Sequence, residues 1–160
     1  MRYRSAMAGR NPAGSGVQSP IMRRYPLEPL DYKGVTLEAG PAREMLEQTK
    51  TFYLALTNDD LLRGFRARAG KSAPGKDLGG WYGSDTFHVF GQILSGLARL
   101  YAATGDSACK SKLDALIAGW GACIAQDGYF FFSAKPNAPH YTYEKLVGGL
   151  VDAHIYASNP

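Results

Sequence analysis

The sequence predicts an all-α fold built from antiparallel helix pairs, and two observations lead to that prediction. First, apolar residues recur at steps of three and four through the long segments of the chain, which is the spacing of one helix face. Second, a weak internal repeat relates residues 96–98 (GLA) to residues 149–151 (GLV). A repeat of roughly fifty residues that contains two helices is typical of a helical array or toroid.

Composition points to one domain without a nucleic-acid or membrane partner. A chain of 160 residues with 45% hydrophobic content is long enough to bury one sizeable core. The net charge is +4, but five arginines and no acidic residue lie before Tyr25, which leaves 13 of the 18 basic residues against all 14 acidic ones. A nearly neutral body argues against a basic nucleic-acid surface, and no apolar run approaches the ~20 residues that span a bilayer.

The first 25 residues are predicted to be a disordered basic tail. They are rich in Gly, Ser, Pro and Arg and have no apolar period. They also lack the continuous apolar core of a secretory signal, and no hydrophobic run follows the arginine pair at 23–24. We therefore expect no cleaved export and, by default, a cytoplasmic location.

A helix over residues 87–104 is the centre of the predicted fold. Its apolar positions are Phe87, Phe90, Leu94, Leu97 and Tyr101. Ser84 and Asp85 are candidates for its N-cap, because their side-chain oxygens can accept hydrogen bonds from the free amides of a first turn. Gly105 is placed to end the helix in a left-handed conformation, and Asp106 can cap the next helix.

The segments before this centre are predicted to be helices followed by a loop. Pro41 suits the first turn of a helix that ends near residue 56. The acidic pair at 59–60 can cap a short segment over 61–66. Residues 71–80 lack periodicity and are predicted to form a loop.

Two more helices are predicted after the centre. A helix over 107–124 carries Cys109 and Cys123 on its apolar side, where we predict buried core residues without a metal or a disulfide. An aromatic loop at 129–132 then precedes a last helix over 142–157. The predicted apolar face of that helix holds Tyr143, Leu146, Val147, Leu150, Val151 and His154.

The alternation of the helices predicts a binding face. If helices 87–104 and 142–157 are both inner helices, the loops before them open at the same end of the array, and loops on a rigid scaffold often carry function. The predicted substrate-binding residues at that end are Trp81, Asp85, His88, His140, Tyr141, Glu144 and Lys145. A structural role stays open for Trp81 as a loop plug, for Asp85 as a helix cap and for His88 as a core histidine. Glu144 and Lys145 can equally be a solvated pair.

Six segments of the chain resemble a known family. In chain order they are PLDYKGVTLEAGP, YLALTNDDLLRGFRARAG, GGW, LSGLARLYAATGD, QDGY and YTYEKLVGGLVDAH. They are similar to the N-terminal part of the beta-L-arabinofuranosidase-like glycoside hydrolases, bacterial enzymes of carbohydrate metabolism, over residues 27–160. The resemblance implies an (α/α)6 toroid as the catalytic domain. Residues 26–160 would be the N-terminal portion of that toroid, truncated at its C-terminal end.

The resemblance also implies where the catalytic residues lie. Family enzymes are similar in using a zinc-bound cysteine nucleophile and a glutamate acid/base, both in the later half of the toroid. No catalytic residue and no metal ligand is therefore carried over to this chain, and zinc is implied only for the missing half. His88 stands where many relatives have the first of two histidines in the central helix, and Gln92 stands at the place of the second.

Two functions follow from the sequence. In the first, the chain is an N-terminal fragment of a glycoside hydrolase that contributes part of a sugar-binding pocket for plant-type glycans, and has no activity on its own. In the second, it is a stand-alone helical carbohydrate-binding or interaction module left by truncation or gene splitting. The expected partners are a carbohydrate substrate and either the missing remainder of the toroid or a second copy. A second copy would pair through exposed apolar residues, expected at 130–132 and 147–151. The run at 130–132 can instead be part of the core or an interface with the absent helices.

Overall fold

The computed structural model describes residues 35–79 and 89–160 of the chain. The predicted tail and the predicted site residues Trp81, Asp85 and His88 lie outside the described residues. The described part contains five helices and no strand, which confirms the all-α prediction for that part. The helices are α1 (Pro41–Ala55), α2 (Asn58–Arg68), α3 (Val89–Thr104), α4 (Ser107–Gly121) and α5 (Pro139–Ala157). None of them is both long and apolar enough to cross a membrane.

The cap of α2 differs from the prediction. The side chain of Thr57, and not the acidic pair at 59–60, accepts the hydrogen bond from the backbone N–H of Asp60, at 3.1 Å. Asp59 and Asp60 lie in the first turn, where a carboxylate interacts favourably with the positive end of the helix dipole. The helix is also longer than predicted and continues to Arg68.

The turn between α3 and α4 is as predicted. Gly105 has a φ of 70°, the left-handed conformation that ends a helix. The Asp106 carboxylate then accepts the backbone N–H of Ala108 at 2.9 Å and caps α4. Helix α4 ends at Gly121, three residues earlier than predicted. Both cysteines are buried and unpaired, which confirms that they are core residues.

Helices α3 and α5 run in the same direction and touch along their length. Gly91, near the start of α3, lies against Lys145 and Gly149 of α5. Further along, Asp152 accepts hydrogen bonds from Ser95 Oγ at 2.5 Å and from Arg99 Nε at 2.9 Å. Contacts that advance together along both helices show a parallel pair, so the N-terminal ends of α3 and α5 lie at the same end of the molecule.

A second parallel pair is formed by α2 and α4. Leu62 packs against Gly119, and Arg68 reaches Cys123 beyond the end of α4. Since α3 and α4 are joined by a tight turn, the two parallel pairs run in opposite directions. This agrees with the predicted alternation of helices, while the closed toroid stays a prediction.

The inward face of α5 agrees only in part with the prediction. Leu146 is buried and Leu150 packs half-buried against the core, but Tyr143, Val147, Val151 and His154 are exposed. The buried residues of α5 are mostly small: Thr142, Leu146, Gly149, Ala153 and Ala157. Small residues face α3 because the two backbones approach closely: a side chain on Gly149 would collide with the backbone of Gly91. The need for close approach, rather than side-chain hydrophobicity, therefore orients α5.

Candidate functional site

The candidate site lies where α3 and α5 begin. The four described members of the predicted site are in the first turns of α5: His140, Tyr141, Glu144 and Lys145. Lys145 is half-buried beside Gly91 of α3, whereas the other three are exposed. The start of the described part of α3 is thus next to the predicted sugar-contacting end of α5.

The ammonium group of Lys145 contacts both Tyr141 and Glu144. Its Nζ lies 4.9 Å from the centre of the Tyr141 ring and 3.2 Å from Glu144 Oε1. A cation over an aromatic face is attracted by the ring electrons, and the pair holds both side chains in place. The side chain of Glu144 is 68% exposed, so its ion pair with Lys145 is screened by solvent and contributes little to stability. The structure therefore brings together Tyr141, Glu144 and Lys145 around one ammonium group.

The loop that leads toward residues 80–88 is fixed to α2. Asp60 accepts the backbone N–H of Lys76 at 2.7 Å. This bond, together with a side-chain hydrogen bond from Thr57 to the Asp60 carboxylate, holds the pKa of Asp60 below its ordinary value. Gly75 has a φ of 95° and lies so close to the backbone of residues 59–60 that no side chain would fit there. Whether Trp81, Asp85 and His88 converge on Lys145 stays a prediction.

The aromatic loop at 129–132 is half-buried and not the exposed patch that was expected. The ring of Phe132 packs edge-on against Phe65, with 5.2 Å between ring centres, and fills the space above Gly64. Phe130 stacks on Phe131 at 4.5 Å and lies 6.0 Å from Tyr143 of α5. The loop thus covers the core beside the candidate site.

Arg68 and Trp120 hold this loop, a role that the sequence did not predict for either residue. Arg68 donates from Nε to the Phe131 carbonyl at 3.0 Å and from Nη2 to the Cys123 carbonyl at 2.5 Å. Trp120 Nε1 donates to the Phe130 carbonyl at 3.2 Å. All three acceptors are backbone carbonyls, which every residue has. No pattern of residue types could therefore have identified these bonds.

Among the described residues, no group of three or more His, Cys, Asp or Glu side chains could hold a metal ion. Burial also raises the pKa of the Cys109 thiol, with the Asp106 carboxylate adding to the effect. A zinc-binding or nucleophilic cysteine needs the opposite shift, toward the thiolate. Cys109 thus does not fit the zinc and nucleophile roles that the resemblance implies for the family.

Two grooves in the described part lie away from the candidate site. One, of about 480 Å³, is bordered by residues 35–37, α1 and the C-terminal end of α3. Lys50 stands in it, with ion pairs to Glu47 at 2.8 Å and Asp106 at 3.2 Å. Another groove of about 480 Å³ lies at the junction of α1 and α2, beside Lys112. None of the four described site residues borders either groove.

Comparison with known proteins identifies the family. No curated protein matches the chain. The model of the family described as "Beta-L-arabinofuranosidase, GH127 catalytic domain" matches residues 34–160, which is most of the chain. The chain therefore belongs to the beta-L-arabinofuranosidase GH127 catalytic-domain family.

Proposed function

We propose that this chain supplies part of the sugar-binding surface of a glycoside hydrolase domain that acts on L-arabinofuranosides or related plant glycans. One observation carries the proposal: α3 and α5 are parallel, and their N-terminal ends meet at Gly91 and Lys145. Residues before α3 and in the first turns of α5 are therefore expected at one end of the molecule. Family membership supports this choice of substrate class.

The side chains at the start of α5 suit a sugar. The exposed ring of Tyr141 offers an apolar face for sugar C–H groups, and Lys145 and Glu144 offer a hydrogen-bond donor and acceptor for hydroxyls. The free amides at the first turn of α5 add further donors. In this proposal Trp81, Asp85, His88 and His140 complete the sugar-binding set. Zinc and the catalytic cysteine have no assigned residue in this chain.

Sugar binding can be tested on the chain itself. Methyl β-L-arabinofuranoside is titrated into isotope-labelled protein, and amide chemical shifts are followed by NMR. We expect shifts concentrated at the start of α5, and at least a fivefold weaker affinity for Lys145→Met. The control is Lys110→Met, which removes another ion-paired lysine, on α4. Equal affinity in both variants, or shifts remote from α5, would contradict the proposal.

An interaction module is the second candidate, and a separate observation favours it. The outer face of α5 exposes four large apolar side chains, Tyr143, Val147, Val151 and Ile155. Monomeric soluble domains rarely leave such a row uncovered. The two candidates are compatible, because a sugar-binding surface and a protein-binding surface can lie on different sides of α5.

A further inference from the structure

Among the five described helices, α1 is the one without a buried residue. All fifteen of its residues are described and none is buried, whereas each of the other helices buries at least three. Leu46, Tyr53 and Leu54 pack half-buried against the core, but Met45 and Phe52 are 68% and 53% exposed. Because the helix buries so little apolar surface, the contacts made by its polar groups matter more for holding it in place.

The two grooves of about 480 Å³ both border α1. One follows residues 43–50 and separates part of the helix from the C-terminal end of α3. The other borders residues 54–55, where α1 leads into α2. The helix therefore lacks close neighbours along part of its first turns and again at its C-terminal end, which limits the contacts that hold it.

Two lysine side chains connect α1 with α4. Lys50, on α1, forms an ion pair at 3.2 Å with Asp106, the residue that caps α4. Lys112, on α4, donates from Nζ to the carbonyl of Leu56, which ends α1, and to Asn58 Oδ1 at 2.9 Å. The last turn of α1 has no basic residue of its own, so the ammonium group of Lys112 interacts there with the negative end of the helix dipole. Both contacts depend on a positive charge.

A buried thiol lies beside the contact between α1 and α4. Cys109, in the first turn of α4, is fully buried, and its charged neighbours are Asp106 and, from α1, Lys50 and Glu47. Movement of α1 away from α4 would therefore uncover this thiol. The other cysteine, Cys123, is also buried but lies beyond the opposite end of α4. The two thiols can thus distinguish opening of α1 from unfolding of the whole domain.

We propose that α1 is a strap that opens as a unit while the other helices stay folded, and that Lys50 and Lys112 hold it shut. The opened state uncovers Cys109 and the surface of α3 and α4 on which α1 rests. Salt screens the ion pair of Lys50, so ionic strength regulates the opening. This proposal does not depend on sugar binding, so its tests and the sugar titration succeed or fail separately.

The first test labels the full chain with N-ethylmaleimide and identifies the modified thiol by peptide mass spectrometry. We expect Cys109 to react faster than Cys123. Raising the salt from about 0.01 M to about 1 M shortens the screening length from about 30 Å to about 3 Å and should accelerate Cys109 alone. Lys50→Met should raise the Cys109 rate about two- to fivefold, the effect of losing an ion pair near the surface. The matched control is Lys110→Met, which removes an ion pair within α4. Equal rates for the two thiols, or equal effects of the two substitutions, would overturn the proposal.

The second test measures amide hydrogen exchange and does not depend on the thiols. Amides in the middle of α1 should exchange together and faster than those of α3, because the strap opens as one unit. Lys112→Met should accelerate exchange across α1 by at least about threefold, since it removes a charged donor from a backbone carbonyl, and should leave α3 unchanged. Lys110→Met is again the control. Protection in α1 equal to that in α3, or protection that is lost only at the ends of α1, would refute the strap.

Discussion

Helices α3 and α5 form a parallel pair, but they are covered very differently. Helix α3 buries large side chains, among them Phe90, Ile93, Leu94, Leu97 and Leu100. Helix α5 buries mainly small residues and leaves Tyr143, Val147, Val151 and Ile155 exposed. α3 contacts α1, α4 and α5, whereas α5 packs chiefly on α3. Two helices of the same type thus differ because one is inside the helical array and the other is at its edge.

The largest effect of this difference should appear when a large side chain is shortened in each helix. Leu97 of α3 is fully buried, so Leu97→Ala should lower the free energy of unfolding by about 2–5 kcal/mol through lost burial and a cavity. Ile155→Ala, on the exposed side of α5, should change it by less than about 0.5 kcal/mol. Urea denaturation measures both. Similar losses in the two variants would mean that α5 is not an edge helix.

A sharper form of the comparison uses two neighbouring glycines of α5. Gly149 touches the backbone of α3, and an added Cβ would collide with Gly91. Gly149→Ala should therefore cost about 1–3 kcal/mol, the usual effect of overpacking. Gly148 has open space around it, so Gly148→Ala should stabilise the helix by about 0.5–1 kcal/mol, because alanine loses less backbone entropy than glycine. Thermal denaturation distinguishes the two signs, and a stabilising Gly149→Ala would disprove the close crossing.

The same contrast explains how much of the fold could be predicted from the sequence. The turn at Gly105 and Asp106 was predictable, because a left-handed glycine and a capping aspartate act on neighbouring residues. Burial in α3 was predictable at Phe90, Leu94 and Leu97, since a helix covered on several sides buries its apolar residues. The orientation of α5 was not predictable, because its large apolar residues extend around more than half of the helix. Which side faces α3 is decided by backbone approach at Gly91, more than fifty residues away.

At the candidate site, too, contacts between distant residues could not be predicted from the sequence. The sequence pointed to the start of α5, where Tyr141, Glu144 and Lys145 do lie together. It could not show that Arg68 fixes the aromatic loop beside them, because the partners of Arg68 are carbonyl groups 55 and 63 residues away in the chain. At the start of α2, residues that lie close together in the chain compete for the N-cap position. Threonine and aspartate both cap helices, and only the backbone geometry decides which residue precedes the first turn.

The smallest predicted effect concerns pH and the end of α3. The N–H of Ala108, followed by the ion pair with Lys50, holds the pKa of Asp106 below its ordinary value. A carboxylate whose pKa is lower in the folded than in the unfolded state stabilises the fold at pH values above the unfolded pKa. That contribution is lost as the pH falls through the folded pKa. Asp106→Asn keeps a side chain that can cap α4 but removes the charge that pairs with Lys50.

We therefore expect Asp106→Asn to melt a few degrees below the wild type at pH 7. The two melting temperatures should converge as the pH falls below about 4, the ordinary range of an aspartate. Asp60 and Asp114, whose pKa values are also lowered, are present in both proteins, so their titration cancels in the difference. A constant gap between wild type and Asp106→Asn from pH 7 to pH 3 would show that the charge of Asp106 does not stabilise the α3–α4 turn. The capping hydrogen bond alone would then account for the stability of that turn.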